Sequence, residues 1–423
     1  MSRNNMAEQM NALTVRPFVA YFLTNTMSLL GTWIQKVGLG WLTWQITEST
    51  FWTSFVSIAL MAPVGIIGPF IAVYAESWNM RRAFLITKIL MMIISFVIFG
   101  LQHFEMHNIH TLVVTSLLLG LLSAVHHPIR LVFISIVVPR PYLASAIGLN
   151  SVSWNMSRVV GPGLSGFAIV ILGLANTFGL AVILYAPLIL ALTLLPLEPR
   201  AKSKLKTDRF FQKLRDGGNV ALQTPLIFTA LCVVALNSFL VRGVLEIQPA
   251  IIGQILGGDS QALATATAAA GIGALLASIW IGLGKLPPDF IQRCLWPMLA
   301  VGILGTACLK MTSMIIPMSL IFALTGFTAT VAGIGAQTLI QLKVDEDYRA
   351  RVMTWWSSVS FGSLTIGGIL IGFFGDFVPI EDAILMVMVP GFLLALWILF
   401  KLPLVRWVAV SYTHLTLPTI CSV

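Results

Sequence analysis

The chain has 423 residues, of which 57% are hydrophobic and only 10% charged, with a formal net charge of +9. Apolar content this high, spread over nearly the whole length, excludes a water-soluble globular domain. Continuous runs rich in Gly, Leu and Ala exclude a membrane β-barrel, whose strands alternate in polarity over about ten residues. An all-α polytopic membrane protein is left.

A bilayer core about 30 Å thick takes roughly 20 apolar residues per helix. Twelve runs satisfy that length: 17–46, 51–74, 82–102, 110–138, 143–172, 175–196, 223–254, 261–284, 291–309, 312–341, 350–375 and 381–403. The opening "MSRNNMAEQMNALTVRPF" lacks a basic start, a short apolar core and a small-residue cleavage site, so the first run is expected to be its own insertion signal. Cys232, Cys294, Cys308 and Cys421 lie far apart without C-x-x-C spacing, which points to neither a disulfide framework nor a zinc site.

The positive charge is distributed by loop. Arg81, Arg82 and Lys88, then Arg140, then the cluster from Arg200 to Arg215, Lys285 and Arg293, Lys343 to Arg351, and Lys401 with Arg406 fall in alternate connections. The other connections hold Lys310 beside Glu48, Glu105, Asp259, Asp376, Glu381 and Asp382. This is the pattern of a lipid bilayer with both termini and the central loop in the cytoplasm, and it argues against nucleic acid as a partner.

The longest polar segment, "LEPRAKSKLKTDRFFQKLRDGG", separates six runs from six. We read 1–196 as one six-helix bundle, 197–222 as a cytoplasmic linker and 223–410 as a second bundle. The tail 411–423, "SYTHLTLPTICSV", changes character abruptly and is read as foreign to the fold. "PYLASAIGLNSVSW" from Pro141 echoes "DYRARVMTWWSSVSF" from Asp347, a displacement of roughly 206 positions that suggests two pseudo-symmetric halves with a substrate site between them.

Five ionisable groups fall inside the runs: Lys36, Arg130, Arg158, Arg242 and Glu246. Left in lipid, at about 2.5 to 3.5 kcal/mol each, they would together cost on the order of 12 to 17 kcal/mol. That rivals the whole stability of a typical domain, about 5 to 15 kcal/mol, so they are expected to face water, protein or one another. Glu246 follows Arg242 by four residues in "LVRGVLEIQPA", which places both on one helix face. The pair is either a static internal ion pair or a proton-binding carboxylate that responds to exposure. The helix ends Thr50 and Ser260 correspond at a displacement of about 210, which sets Lys36 opposite Glu246 across the central cavity. Gln35 is a further candidate for the cavity wall. His126 and His127 are potential titrating groups, His126 being read either as a proton carrier or as a polar packing group. The run "HFEMHNIH" lacks the H-E-x-x-H order and reads as a solvated loop without metal.

These stretches are similar to the major facilitator superfamily, in the drug and siderophore exporter branch that includes enterobactin exporter-like proteins and transmembrane secretion effectors. The carriers of the resemblance are "SLLGTWIQKVGLGWLTWQIT", "GPFIAVYAESWNMRR", "HHPIRLVFISIVVPRPYLASAIGLNSVSWNMSRVVGPGLSG", "RGVLEIQPA" and "TLIQLKVDEDYRARVM", from Arg16 to about Lys401. The resemblance implies that Gly161, Pro162, Gly163, Ser165 and Gly166 match a fifth-helix pattern associated with proton-driven antiporters. Small residues there let helices approach closely, and Pro162 removes a backbone donor, so the stretch is expected to act as hinge and seal. It also implies a gating motif, G-x-x-x-D-R-x-x-R-R, of which Gly68, Arg81 and Arg82 remain while Glu76 and Ser77 replace the acid and the first arginine. Relatives carry an acid near His126 in D-x-P-x-R. Pro128 and Arg130 match here, so proton coupling is expected to rest on Glu246.

The expected function is secondary active transport: a monomer that exports a small amphipathic molecule in exchange for protons across the bacterial inner membrane. No G-x-x-x-x-G-K-[ST] motif supports direct ATP drive, and no cofactor is expected. No clustered nucleophile, base or metal ligands suggest an enzyme. The alternative is a transport-inactive sensor or assembly partner built on the same fold, favoured by the altered gating motif.

Overall fold

The computed structural model describes residues 11–68, 70–71, 78–195, 210–258, 260–283 and 287–401, among which no strand occurs. A short 3-10 turn at Ala12–Thr14 leads into α1 (Arg16–Thr47), then α2 (Thr50–Ile66), α3 (Met80–His103), α4 (Ile109–Val137), α5 (Leu143–Leu172) and α6 (Leu174–Leu194). A linker helix, α7 (Phe210–Gln223), precedes a seventh span in three pieces: α8 (Pro225–Leu236), α9 (Gly243–Glu246) and α10 (Gln248–Leu256). The rest are α11 (Ser260–Leu283), α12 (Pro288–Ala307), α13 (Ile315–Lys343), α14 (Glu346–Phe374) and α15 (Ile380–Lys401). Ten of the spans are long and apolar enough to cross a membrane, with Thr50–Ile66 a shorter apolar helix. The 32-residue α1 completes the set. The protein is a multi-pass, all-helical membrane protein.

Local chemistry sets the helix ends. Ser49 caps α2 by accepting from the Trp52 amide, and Asn79 caps α3 by accepting from Arg82 N–H. Asn108 and Thr111 form a reciprocal capping box on α4. Gly173 has φ +79, a conformation open to residues without a Cβ, and joins α5 directly to α6.

Two elements differ from the run-based expectation. The central linker contains α7, whose amphipathic pattern is obscured by its charges. It leans on α14, where Gly217 lies against the Arg351 side chain and Gly218 against the Trp355 indole, and Asp216 approaches Arg351 at 3.7 Å. The seventh span is not one rod. A π-helical turn covers Asn237–Arg242, Ile247 leaves helical geometry at φ −104, ψ 16, and Pro249 lacks a backbone donor in the first turn of α10.

In the first half α1 packs on α5 and α6, α2 on α4, and α3 on α4 and α6. In the second, α13 packs on α11 and α12. The halves meet through α5 with α11, α2 with α14, and α10 with α1. The first half has an aromatic core in which Phe133 lies 5.3 Å from Tyr21 and 5.1 Å from Phe84, ring centre to ring centre. A second core gathers Leu240, Val241, Val244 and Ile251 with Phe322 and Leu339. Large apolar side chains remain on the outside, among them Phe96, Ile183, Leu190, Leu393, Trp397 and Phe400, as lipid rather than water would permit. Arg16, Arg81, Arg140, Lys343 and Lys401 mark one end of the bundle, and Glu48, Glu105, Asp376 and Glu381 the other. These are called here the basic and the acidic end.

Candidate functional site

Where α1, α5, the broken seventh span, α11, α13 and α14 face one another, they enclose a cavity of about 160 Å³. Small residues, including Ala270, Gly271, Gly326, Ala329 and Gly333, keep it open, and Trp33 and Trp356 supply flat apolar surface. Its polar wall comprises Asn237, Ser238, Gln248, Gln337 and Ser360, and its charged wall Lys36, Arg158, Arg242 and Glu246.

The structure brings Lys36 of α1 to Glu246 of α9, Nζ to Oε2, at 2.5 Å, with side chains 10% and 14% exposed. The Lys36 ammonium also lies 4.8 Å from the centre of the Trp33 ring. One partner comes from each half, and the contact continues through Ser57 Oγ, which donates to the Glu246 carbonyl at 3.3 Å. The expected pairing of Glu246 with Arg242 is not what forms. Arg242 Nη1 instead donates to Ser360 Oγ at 2.9 Å and lies 3.4 Å from Ser238 Oγ. The four-residue rule assumes a regular helix, whereas here a π-helical turn ends at Arg242 and the helix breaks just after Glu246. The two side chains are thereby free to serve different partners.

Glycines and one carboxylate join the halves toward the acidic end. Gly163 packs with its missing Cβ 3.4 Å from Ala268 Cα, and Gly166 closes on Ala264 more tightly still. Three residues apart, both lie on the α5 face toward α11, whereas Gly161 turns to Trp33 of its own half. Pro162 sits within α5, which runs unbroken from Leu143 to Leu172. Lacking an N–H, it leaves the Arg158 carbonyl without its usual helical partner. Asp376 completes the closure: its carboxylate accepts from the Thr50 and Phe51 amides at 2.7 and 3.1 Å and from Ser49 Oγ at 2.7 Å. A second-half carboxylate thus caps a first-half helix, favourable for both the open donors and the helix dipole. The sequence reading missed this residue because its partner is 326 positions away. From the Lys36–Glu246 pair the cavity extends toward the basic end, past Gln337 and Trp356. There a further contact between the halves is made by Ser358 Oγ, which donates to the Gly65 carbonyl at 3.1 Å.

Gln35, His126 and Arg130 do not line this cavity. They are buried within the first half. Gln35 Oε1 accepts from Ser95 Oγ at 2.8 Å and from the Tyr185 hydroxyl at 3.2 Å. Arg130 Nη1 donates to Asn150 Oδ1 at 3.2 Å, and its guanidinium lies 4.6 Å from the centre of the Trp154 ring. His126 packs on Phe84 at 5.2 Å and His127 on Trp154 at 5.3 Å, ring to ring. Lys88, assigned from sequence to a loop, lies inside α3 with no exposed surface. Its ammonium sits 5.0 Å from the Tyr185 ring centre. The periodicity was the available signal: Lys88 falls on the buried stripe Met80, Phe84, Thr87, Met91, Ser95 and Ile98.

Of the expected gating residues, Arg81 donates through Nε to the Leu192 carbonyl at 2.7 Å and through Nη2 to that of Thr193 at 2.6 Å, capping the end of α6 within its own half. Arg82 is exposed. Gly68 approaches the Ala124 carbonyl, 4.0 Å from where a Cβ would stand. Glu76 and the tail 411–423 lie outside the described residues.

A cavity with opposed charges lies between two sets of membrane-spanning helices, the arrangement of the major facilitator fold. The chain belongs to the transmembrane secretion effector family, whose model matches residues 8–420. It is 22% identical over 267 residues to the staphyloferrin A transporter of Staphylococcus aureus, a match that takes in 61% of this chain and 65% of that protein's length. Among solved structures, a D323A mutant of the nucleoside transporter NupG superposes with a TM-score of 0.72 at 12% identity, covering 91% of this chain and 99% of that one. A POT family transporter does so with a TM-score of 0.67 at 11% identity, covering 93% and 97%. A bacterial homolog of the human lysosomal transporter Spinster gives 0.61 at 14% identity, covering 92% and 94%.

Proposed function

We propose that the protein is a proton-coupled exporter of a small amphipathic molecule, working as a monomer by alternating access in a bacterial inner membrane. Residues 1–196 and 223–410 are its two rocking bundles, joined by the linker 197–222. The basic end and both termini face the cytoplasm, in keeping with the charge distribution between loops. The observation that carries this reading is the Lys36–Glu246 pair, which spans the halves inside the cavity.

Its chemistry suits a coupling device. Removing one partner of a buried pair costs about 3 to 5 kcal/mol, because a charge is left uncompensated. The pair therefore resists opening of the acidic end unless something replaces the lost partner. Cargo bound in the cavity supplies that replacement on the outward step, and once the acidic end is open the separated carboxylate takes up a proton from outside. Return to the inward-open state releases the proton as the pair re-forms, and Gly163 and Gly166 supply the close-packed surface that re-seals α5 against α11.

The relative's name supplies a first cargo to try. In proteoliposomes loaded with staphyloferrin A and given an imposed pH gradient, the parent protein is expected to show gradient-driven flux. Glu246→Gln is expected to retain exchange and lose its dependence on the gradient. Full gradient-driven flux through Glu246→Gln would exclude that carboxylate as the coupling group. Binding of cargo without dissipation of the gradient by the parent would favour a transport-inactive sensor.

A further inference from the structure

We propose that the cargo of this cavity is a small organic oxyanion, held between the Arg158 guanidinium of one half and the Arg242 guanidinium of the other. The inference rests on the reading of the cavity as a cargo site and adds the chemical class that the site selects.

The charge on the wall is unbalanced. Lys36, Arg158 and Arg242 contribute three positive charges and Glu246 one negative charge, leaving a net of two. The carboxylate is already engaged by Lys36, and no other acidic residue lines the cavity among the described residues. Arg158 has no acidic neighbour, Arg242 shares with Lys36 the one carboxylate of the wall, and the two guanidiniums stand within electrostatic reach of each other.

Their remaining donors are also unspent. Arg242 commits Nη1 to Ser360 and Ser238 and so is held in place, while Nε and Nη2 have no partner among the described residues. Arg158 makes no hydrogen bond or ion pair with any described residue. Two more lining donors, Trp356 Nε1 and Gln248 Nε2, are buried and unpartnered. Asn237 Oδ1 is a buried unpartnered acceptor on the same wall, but the charged donors outnumber the single carboxylate and favour an acceptor-rich guest. The planar guanidinium fork matches a carboxylate or phosphate with two parallel hydrogen bonds, and it does so better than an ammonium can. Trp33 and Trp356 offer flat surface to the apolar body of such a guest. Because one arginine belongs to each half, a bridging anion also ties the halves together, so cargo shifts the conformational balance through its differential contacts.

The same chemistry could come from a soluble carboxylate or from the phosphate of a lipid headgroup, and the test separates them. Purified full-length protein in neutral detergent would be titrated with salicylate, and in parallel with tetraphenylphosphonium, a cation with a large apolar body. A third arm would compare nanodiscs of phosphatidylglycerol and of phosphatidylcholine. The expected result is saturable salicylate binding that weakens at least tenfold in Arg158→Gln and in Arg242→Gln. Arg158→Lys should recover part of it, since charge is kept and the fork is lost. Unfolding temperatures of the unliganded variants distinguish a lost contact from a lost fold. The proposal is overturned if salicylate does not bind, if tetraphenylphosphonium binds more tightly, or if Arg158→Gln stays within twofold of the parent while folded. It is equally overturned if arginine-dependent effects occur only with phosphatidylglycerol, because the anion is then a lipid. Salicylate binding is read without any pH gradient, so it stands or fails separately from proton-coupled export.

Discussion

The molecule buries two polar regions, and they differ in kind. Between the halves, Lys36 meets Glu246 beside a cavity that also admits Arg158 and Arg242. Inside the first half, Lys88, His126 and Arg130 are enclosed with Tyr21 and Asn25, and there Lys88 Nζ, His126 Nε2, Tyr21 Oη and both Asn25 amide atoms have no hydrogen-bond partner. Among the described residues, no acid acts on Lys88, His126 or Arg130. A charge within a membrane span is therefore not by itself a site; its placement between two bodies that can move is what gives it a mechanical consequence. The largest test of this contrast is Glu246→Ala, which leaves Lys36 buried and alone. It is expected to destabilise the protein by about 3 to 5 kcal/mol in unfolding measurements, with Lys36→Ala added to it restoring a substantial part. Additive losses in the double-mutant cycle would show that the pair carries no coupling.

The seal between the halves gives a sharper comparison within a single helix. Gly166 and Gly163 both face α11, but a methyl at position 166 would meet Ala264 in both backbone and side chain, whereas at 163 it would stand 3.4 Å from Ala268 Cα, ordinary contact. Gly166→Ala should cost about 1 to 3 kcal/mol through overpacking and disfavour the state closed at the acidic end. Gly163→Ala should lie within about 0.5 kcal/mol of the parent. Thermal unfolding in the same detergent checks both; equal effects would mean that the α5–α11 contact relaxes freely.

Asp376 tests the same seal at its outer edge. Replacement by alanine removes the acceptor for the Thr50 and Phe51 amides, and loss of a cap of this kind costs about 1 kcal/mol. Thiol labelling of cysteines placed at the acidic end should rise with that loss. Unchanged labelling would confine Asp376 to capping α2.

The spans are legible in the sequence because they are long apolar runs, and the internal displacement of about 210 positions sets Lys36 opposite Glu246. Other features are written in relations a single chain does not display. Arg242 and Glu246 look like partners at four-residue spacing until the π-helical turn and the break at Ile247 separate their roles. The helix α7 is hidden by its charges and becomes evident through Gly217 and Gly218 resting on α14. Asp376 is an ordinary loop acid in the sequence, and only folding brings it to the first turn of α2. Lys88 was legible in principle, since the buried period of α3 includes it, but proximity to Arg81 and Arg82 drew it into the loop.

Lys88 also provides the smallest and most discriminating test of the opening contrast. Its ammonium is fully buried, has no hydrogen-bond partner and faces an aromatic ring, while Arg130 and His126 add positive or titratable groups nearby. Methionine keeps the unbranched length and adapts to irregular space. Removing the charge relieves both desolvation and like-charge repulsion, so Lys88→Met should raise stability by about 1 kcal/mol. Lys36→Met, which leaves Glu246 unpaired, should lower it. Opposite signs for the same substitution would establish that the two buried lysines differ through their partners alone. A loss of about 2 kcal/mol or more in Lys88→Met would instead mean that its charge is compensated inside the first half, making the two regions electrostatically alike.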